Sequence, residues 1–187
     1  MKARAARHRR AGRSLGSPAS PGGEAAGSAF EADVADPMRA CGLKVWTSVW
    51  MSELGVPKAA RSLRQSDVDV LAWHRPSGRV FVAECKRVRP ARTVGEIAAQ
   101  LSEYRGVASD DAGKDKLCRH MERYGWLRDN PTALARVIGM EASRINLAPL
   151  LVTSAVMPMQ FVATLPHPTD MVVLVDDLEQ RLPALLS

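Results

Sequence analysis

The sequence predicts an α/β fold, a mixed central β-sheet flanked by helices with a helical insert. Three observations carry this. Five short apolar runs have the length and composition of buried strands: "LKVWTSVWM", "DVDVLAW", "RVFVAECKRV", "APLLVTSAV" and "MVVLVD". The segments around them show helical spacing with start and stop residues. Their order is helix, three strands, helix, an inserted helical segment, strand, strand, helix. At 187 residues the chain supports one real core and is short for two. With 46% hydrophobic and 25% charged residues it has the composition of a globular protein.

The first helix is expected from about Phe30, where Phe30, Val34, Met38 and Cys41 recur at helical spacing and Gly42 stops the run. Pro37 interrupts its middle. After the first strand, "SELGVPKAARSLRQS" reads as a basic loop. "RPSG" at 75–78 is a turn between the second and third strands. Thr93 followed by Glu96 is a capping box. The helix it opens has Val94, Ile97, Ala98 and Leu101 as its expected buried stripe and Gly106 as its end. A helix over 113–128 points Leu117, Met121, Tyr124 and Leu127 inward. Asn130 and Pro131 suit the start of a short helix to about Ile138. Asp176 and Glu179 are expected to cap a last helix carrying Leu178, Leu182 and Leu185, bent at Pro183.

The net charge of +6 belongs to a tail: the first 13 residues hold six basic residues and no acid, and 20 basic residues balance 20 acidic ones in the remainder. Residues 14–28, "SLGSPASPGGEAAGS", read as linker. The expected organisation is therefore a disordered basic tail and linker over 1–28 and a single domain over 29–187, with the helical insert at about 107–147. The tail would add only weak, salt-sensitive affinity for nucleic acid. No apolar segment follows the basic residues, as a secretory signal requires, and no apolar run reaches membrane-spanning length. Cys41, Cys85 and Cys118 are odd in number and lack a C-x-x-C pair, which points to a reducing, cytoplasmic setting. Cys118 and His120 have no second ligand pair to complete a zinc site.

The third strand is apolar through Ala83 and then places Glu84 and Lys86 two residues apart, on one face. If "RPSG" is the hairpin loop, His74 pairs with Arg79, Asp69 falls opposite Glu84, and Asp67 opposite Lys86. Opposed carboxylates repel unless a cation lies between them. Hard oxygen ligands suit Mg²⁺, which keeps waters and accepts phosphate oxygens. Lys86, one pleat on, can hold a water or steady charge on a phosphate. The plainer alternative is the wet end of a strand with a surface ion pair worth about 0–1 kcal/mol. On the next helix, Gln100 and Tyr104 are four apart and share a face.

Asp69, Glu84-Cys85-Lys86 after a hairpin, and Gln100-x-x-x-Tyr104 on the following helix together resemble the PD-(D/E)xK, restriction-endonuclease-like nuclease superfamily. The resemblance is strongest to its branch with a Q-x-x-x-Y motif, as in RecB-type nuclease domains, and covers about residues 29–106. It implies a metal-dependent phosphodiesterase acting on DNA. Asp69 and Glu84 would bind Mg²⁺, or Mn²⁺ in its place, with the Cys85 backbone carbonyl. Lys86 would orient or activate water. Glu31 on the preceding helix, Gln100 and Tyr104 would complete the site, with Tyr104 toward the nucleic-acid backbone.

Val68 stands where the superfamily's proline precedes the aspartate, Asp67 competes with Asp69, and Asp33 competes with Glu31. The insert has no generic counterpart, which implies a subgroup found as a terminal module of larger bacterial proteins. This chain would then be a fragment or shortened relative of one. Arg87, Arg89 and Arg92 follow Lys86, and Lys58, Arg61 and Arg64 precede Asp67; they suit either a phosphate-tracking groove or a solvated rim. Trp46, Trp50, Trp73 and Trp126 fall in apolar segments and read as core or boundary residues. Two other readings stay open: a catalytically silent module of the same fold that binds nucleic acid or a partner protein, and an unrelated α/β interaction domain.

Overall fold

The "RPSG" turn closes as its composition requires. In the computed structural model, which describes residues 21–106, 115–162 and 171–187, Gly78 has a φ of +72°, and a Cβ there would lie 2.3 Å from the Arg144 carbonyl oxygen. Strands β2 (Asp67–His74) and β3 (Arg79–Lys86) are antiparallel, with His74 opposite Arg79, the expected register. On one side β1 (Lys44–Trp50) pairs antiparallel with β2; on the other, β4 (Asn146–Thr153) and β5 (Val172–Leu174) continue in parallel. The sheet is thus mixed, in the order β1-β2-β3-β4-β5. The middle strand is buried on both faces from Val80 to Cys85, which is why its sequence does not alternate.

One face is covered by α1 (Pro21–Ala40) and α6 (Leu178–Leu186), whose Phe30, Val34, Met38, Leu178 and Leu182 meet Ala72, Phe81 and Val152. Helix α1 reaches back to Pro21, before the expected start near Phe30, and runs through Pro37. Burying Phe30, Val34 and Met38 contributes about 1.5–3 kcal/mol each, enough to offset the roughly 3 kcal/mol of an interior proline. Asp177, not Asp176, precedes α6, and it makes no side-chain capping bond. Residues 1–20 of the expected tail lie outside the described residues.

The other face is covered by α4 (Lys116–Asp129) and α5 (Pro131–Ile138). Leu127, Leu134 and Ile138 pack on Leu71, Val80 and Val82, joined by Met51, Leu54 and Val56 from the loop after β1. The segment expected as an insert therefore supplies one of the two helical layers. The same loop holds a short helix, α2 (Arg61–Arg64), where only loop was expected.

Helix α3 (Val94–Glu103) overturns one expectation: none of its residues is buried. Val94 is 83% exposed and Ile97 38%. Of the expected stripe only Leu101 packs, partly buried, against the cluster around Tyr104 and Leu151. What holds the start of α3 is the predicted capping box: Thr93 Oγ1 accepts the Glu96 N–H at 3.2 Å, and Glu96 accepts the Thr93 N–H at 3.0 Å. At its other end Tyr104 is buried among Leu117, Leu151 and Met157.

Candidate active site

The β2–β3 pairing stops at Val70–Ala83, one rung short of Asp69 and Glu84. There the Asp69 carboxylate takes over a backbone role: its Oδ2 accepts the Cys85 N–H at 2.7 Å. The β1–β2 register also skips a rung at this point, running from Thr47–Val70 to Val49–Val68 and omitting Ser48–Asp69. Ser48 sits at a φ of +51°, a left-handed conformation that L side chains rarely adopt. Its hydroxyl donates to Glu31 Oε2 at 2.8 Å, tying α1 to the distortion. Asp69 thus lies where the sheet lets go of β2 on both sides.

Glu84 and Lys86 follow on β3, on the face that carries Val80 and Val82. The Lys86 ammonium is 2.6 Å from Glu84 Oε1. The other carboxylate oxygen, Oε2, accepts from the Arg123 guanidinium, with His120 Nδ1 3.9 Å away. Both of these residues come from α4, and both are buried. Burial would raise the Glu84 pKa, but the fields of Arg123, Lys86 and His120 outweigh it and hold the carboxyl below its usual range. Asp69 goes the other way: burial, then repulsion from Glu84, pushes it up to about 7 against the attraction of Lys86 and Arg123. Two neighbouring carboxylates with opposed shifts are a pattern typical of functional sites. Burial lowers the Lys86 pKa, but Glu84 and Asp69 more than offset this and hold the ammonium above its usual range. The Cys85 thiol is pushed well up by burial and then by Asp69, Glu31 and Glu84, so it stays protonated and is no nucleophile.

Residues 19–178 match the family described as anti-phage protein Upx-like. This chain belongs to the Upx-like anti-phage protein family. No curated protein and no solved structure shows significant similarity to it. The Upx-like match extends from before α1 to the first residue of α6, so α4 and α5 lie inside the family's own region.

Within this Upx-like domain Asp69, Glu84 and Lys86 come together, and the other expected residues are placed as follows. Glu31 is half-buried on Ser48, close enough to act on the Cys85 thiol, whereas Asp33 is exposed. Asp67 pairs with Trp50 on β1 and lines a cleft beside the site. Gln100 Nε2 donates to the Arg89 carbonyl at 2.7 Å, and its buried Oε1 has no hydrogen-bond partner among the described residues. Tyr104 is only 3% exposed, so its ring is not offered to a nucleic-acid backbone at the surface. Burial, then Glu103 and Glu84, raise its pKa, which puts its hydroxyl within the field of the site. Arg87, Arg89 and Arg92 are exposed beyond β3. Arg64 is instead half-buried and donates to the Val56 carbonyl, holding the loop after β1.

Sequence reasoning missed Arg123 and His120. Arg123 lies four positions before Leu127, and His120 three after Leu117, on α4, so polar residues shared a stripe with inward leucines. That stripe was the available signal.

Among the described residues no group of three or more His, Cys, Asp or Glu is arranged to hold a metal ion. Asp69 and Glu84 nevertheless form a hard-oxygen pair of the kind that binds Mg²⁺ with retained waters. Burial, then repulsion from Glu84, raises the Asp69 pKa, and a cation between the two carboxylates would relieve that repulsion. The donor chemistry therefore fits a divalent cation of this type.

Proposed function

We propose that this Upx-like chain is a metal-dependent phosphodiesterase that hydrolyses DNA, and that it acts in defence against phage by doing so. The observation that carries the reading is the meeting of Asp69, Glu84 and Lys86 at the point where the sheet releases β2. Support comes also from the family's description as anti-phage and from the resemblance of these residues to the PD-(D/E)xK pattern.

Asp69, Glu84 and the Cys85 carbonyl would hold Mg²⁺ or Mn²⁺, which would supply Lewis-acid polarisation of the phosphate and a more acidic water. Lys86 is protonated at neutral pH because Glu84 and Asp69 outweigh its burial. It would orient or activate the attacking water and offset charge on the phosphate. Exposed Arg87, Arg89 and Arg92 track neighbouring phosphates without reading sequence.

The test uses the full chain with single- and double-stranded DNA, and RNA for comparison, in Mg²⁺ or Mn²⁺. Cleavage is expected, and EDTA or Glu84→Ala should abolish it. Cleavage surviving both would overturn the mechanism. One observation favours a second reading, a silent binding module of the same fold: both Glu84 oxygens are already engaged by cations. Nucleic-acid binding without cleavage in any metal would select it.

A further inference from the structure

Arg123 belongs to two places at once. Its guanidinium holds Glu84, and it also forms part of the wall of a cleft of about 560 Å³ between α2 and α4. Ser62, Gln65 and Ser66 line one side of this cleft, and Arg119, Glu122 and Arg123 the other. The volume lies in the range of small-ligand sites, about 300–1,000 Å³. The cleft also reaches Asp67, two residues from Asp69.

We propose that this cleft is a phosphate subsite for the strand being cut, and that Arg123 moves from Glu84 to that phosphate when Glu84 takes a metal ion. The proposal rests on the nuclease reading above. Three observations carry it. First, each Glu84 oxygen already has a cation, Lys86 on Oε1 and Arg123 on Oε2. Adding a divalent ion would set three cations around Asp69 and Glu84, a cost relieved if one cation leaves toward a new anion. Second, Arg123 is only 7% exposed, yet its buried Nε–H has no hydrogen-bond partner among the described residues. A guanidinium is a fork suited to paired bonds with phosphate, and here one tine is unused. Third, the far wall of the cleft carries the Ser62 hydroxyl and the Gln65 amide, groups of the kind that bond phosphate and sugar oxygens.

Metal and nucleic acid are then coupled through Arg123, and the coupling is reciprocal. Without a strand, Arg123 competes with the metal for Glu84. With a strand, Arg123 has another anion and the metal binds more tightly.

The test is calorimetric titration of the full chain with Mn²⁺, alone and with a short DNA oligonucleotide carrying slowly cleaved phosphorothioate linkages. In the wild type the oligonucleotide should tighten Mn²⁺ binding at least tenfold. In Arg123→Met, Mn²⁺ alone should bind at least tenfold tighter, and the oligonucleotide should change that by less than twofold. Arg123→Lys, which keeps the charge but not the fork, should retain only part of the coupling. The double variant Ser62→Ala/Gln65→Ala touches the cleft and not Glu84; it should weaken oligonucleotide binding at least threefold and leave Mn²⁺ affinity unaltered. Equal Mn²⁺ affinity with and without the oligonucleotide in the wild type would overturn the proposal while leaving the nuclease reading intact. Unchanged oligonucleotide binding in the double variant would do the same. Absence of Mn²⁺ binding in every arm would overturn both.

Discussion

Arg123 and Glu84 form a buried ion pair across 39 positions of sequence, with side chains only 8% and 7% exposed. It joins α4 to the end of β3. Removing one partner leaves the other charge buried, which typically costs about 3–5 kcal/mol. Lys86 still compensates Glu84 here. Arg123→Met is therefore expected to destabilise the protein by about 2–3 kcal/mol, and a cycle with Glu84→Gln to give a coupling of about 1–3 kcal/mol. Urea unfolding of the four proteins measures both. A coupling near zero would show that the pair does not hold α4 in place.

The raised pKa of Asp69 makes a signed prediction for pH. From its ordinary 3.8 to about 7 the folded state binds a proton that the unfolded state has released. Stability from this group is therefore present at low pH and lost as pH rises through about 7. At about 1.4 kcal/mol per pKa unit the loss has an upper bound of about 4 kcal/mol. Asp69→Asn removes the titration, so its Tm should exceed that of the wild type at pH 8 by more than at pH 5. Mg²⁺ should raise the wild-type Tm more at pH 8 than at pH 5, since the ionised carboxylate is the ligand. A difference between the two proteins that is flat with pH would refute the assignment.

Ser48 is exposed, where most substitutions change stability by less than about 0.5 kcal/mol. Its φ of +51° makes it an exception. Ser48→Val is expected to cost about 1–2 kcal/mol, because a branched Cβ clashes in the left-handed region. Ser48→Gly should be near neutral, with relief of strain balancing the lost bond to Glu31. Thermal unfolding separates the two.

For α3 the expected order of effects reverses the usual one. Val94→Ser removes an apolar side chain that is 83% exposed and should change stability by less than about 0.5 kcal/mol. Thr93→Ala removes the capping bond to the Glu96 N–H and should cost about 1 kcal/mol. Amide hydrogen exchange in the first turn of α3 should quicken only in the second variant.

Leu134 on α5 is fully buried against the sheet. Leu134→Ala should cost about 2–5 kcal/mol, as in any core. A loss below about 1 kcal/mol would return α4 and α5 to the status of an appended insert.

The elements were largely legible because their signals are local. The β2–β3 register followed from a four-residue turn, and the Thr93–Glu96 box from a spacing of three. The convergence of Asp69 with Glu84 and Lys86 followed from that register. The site's other half was not legible in this way. Arg123 and His120 reach Glu84 from a helix whose placement depends on which sheet face remains uncovered, a competition among α3, α4 and α5 that periodicity does not settle.

By itself, then, the sequence determined the strands, the hairpin and the carboxylate pair, since turn chemistry and alternation act between near neighbours. Only the tertiary structure decided that α4 and α5, not α3, bury their apolar stripes on the sheet. It likewise decided that Asp69 sits high and Glu84 low on the pKa scale. Those outcomes depend on burial and on charges brought together from distant positions, and neither exists until the chain has packed.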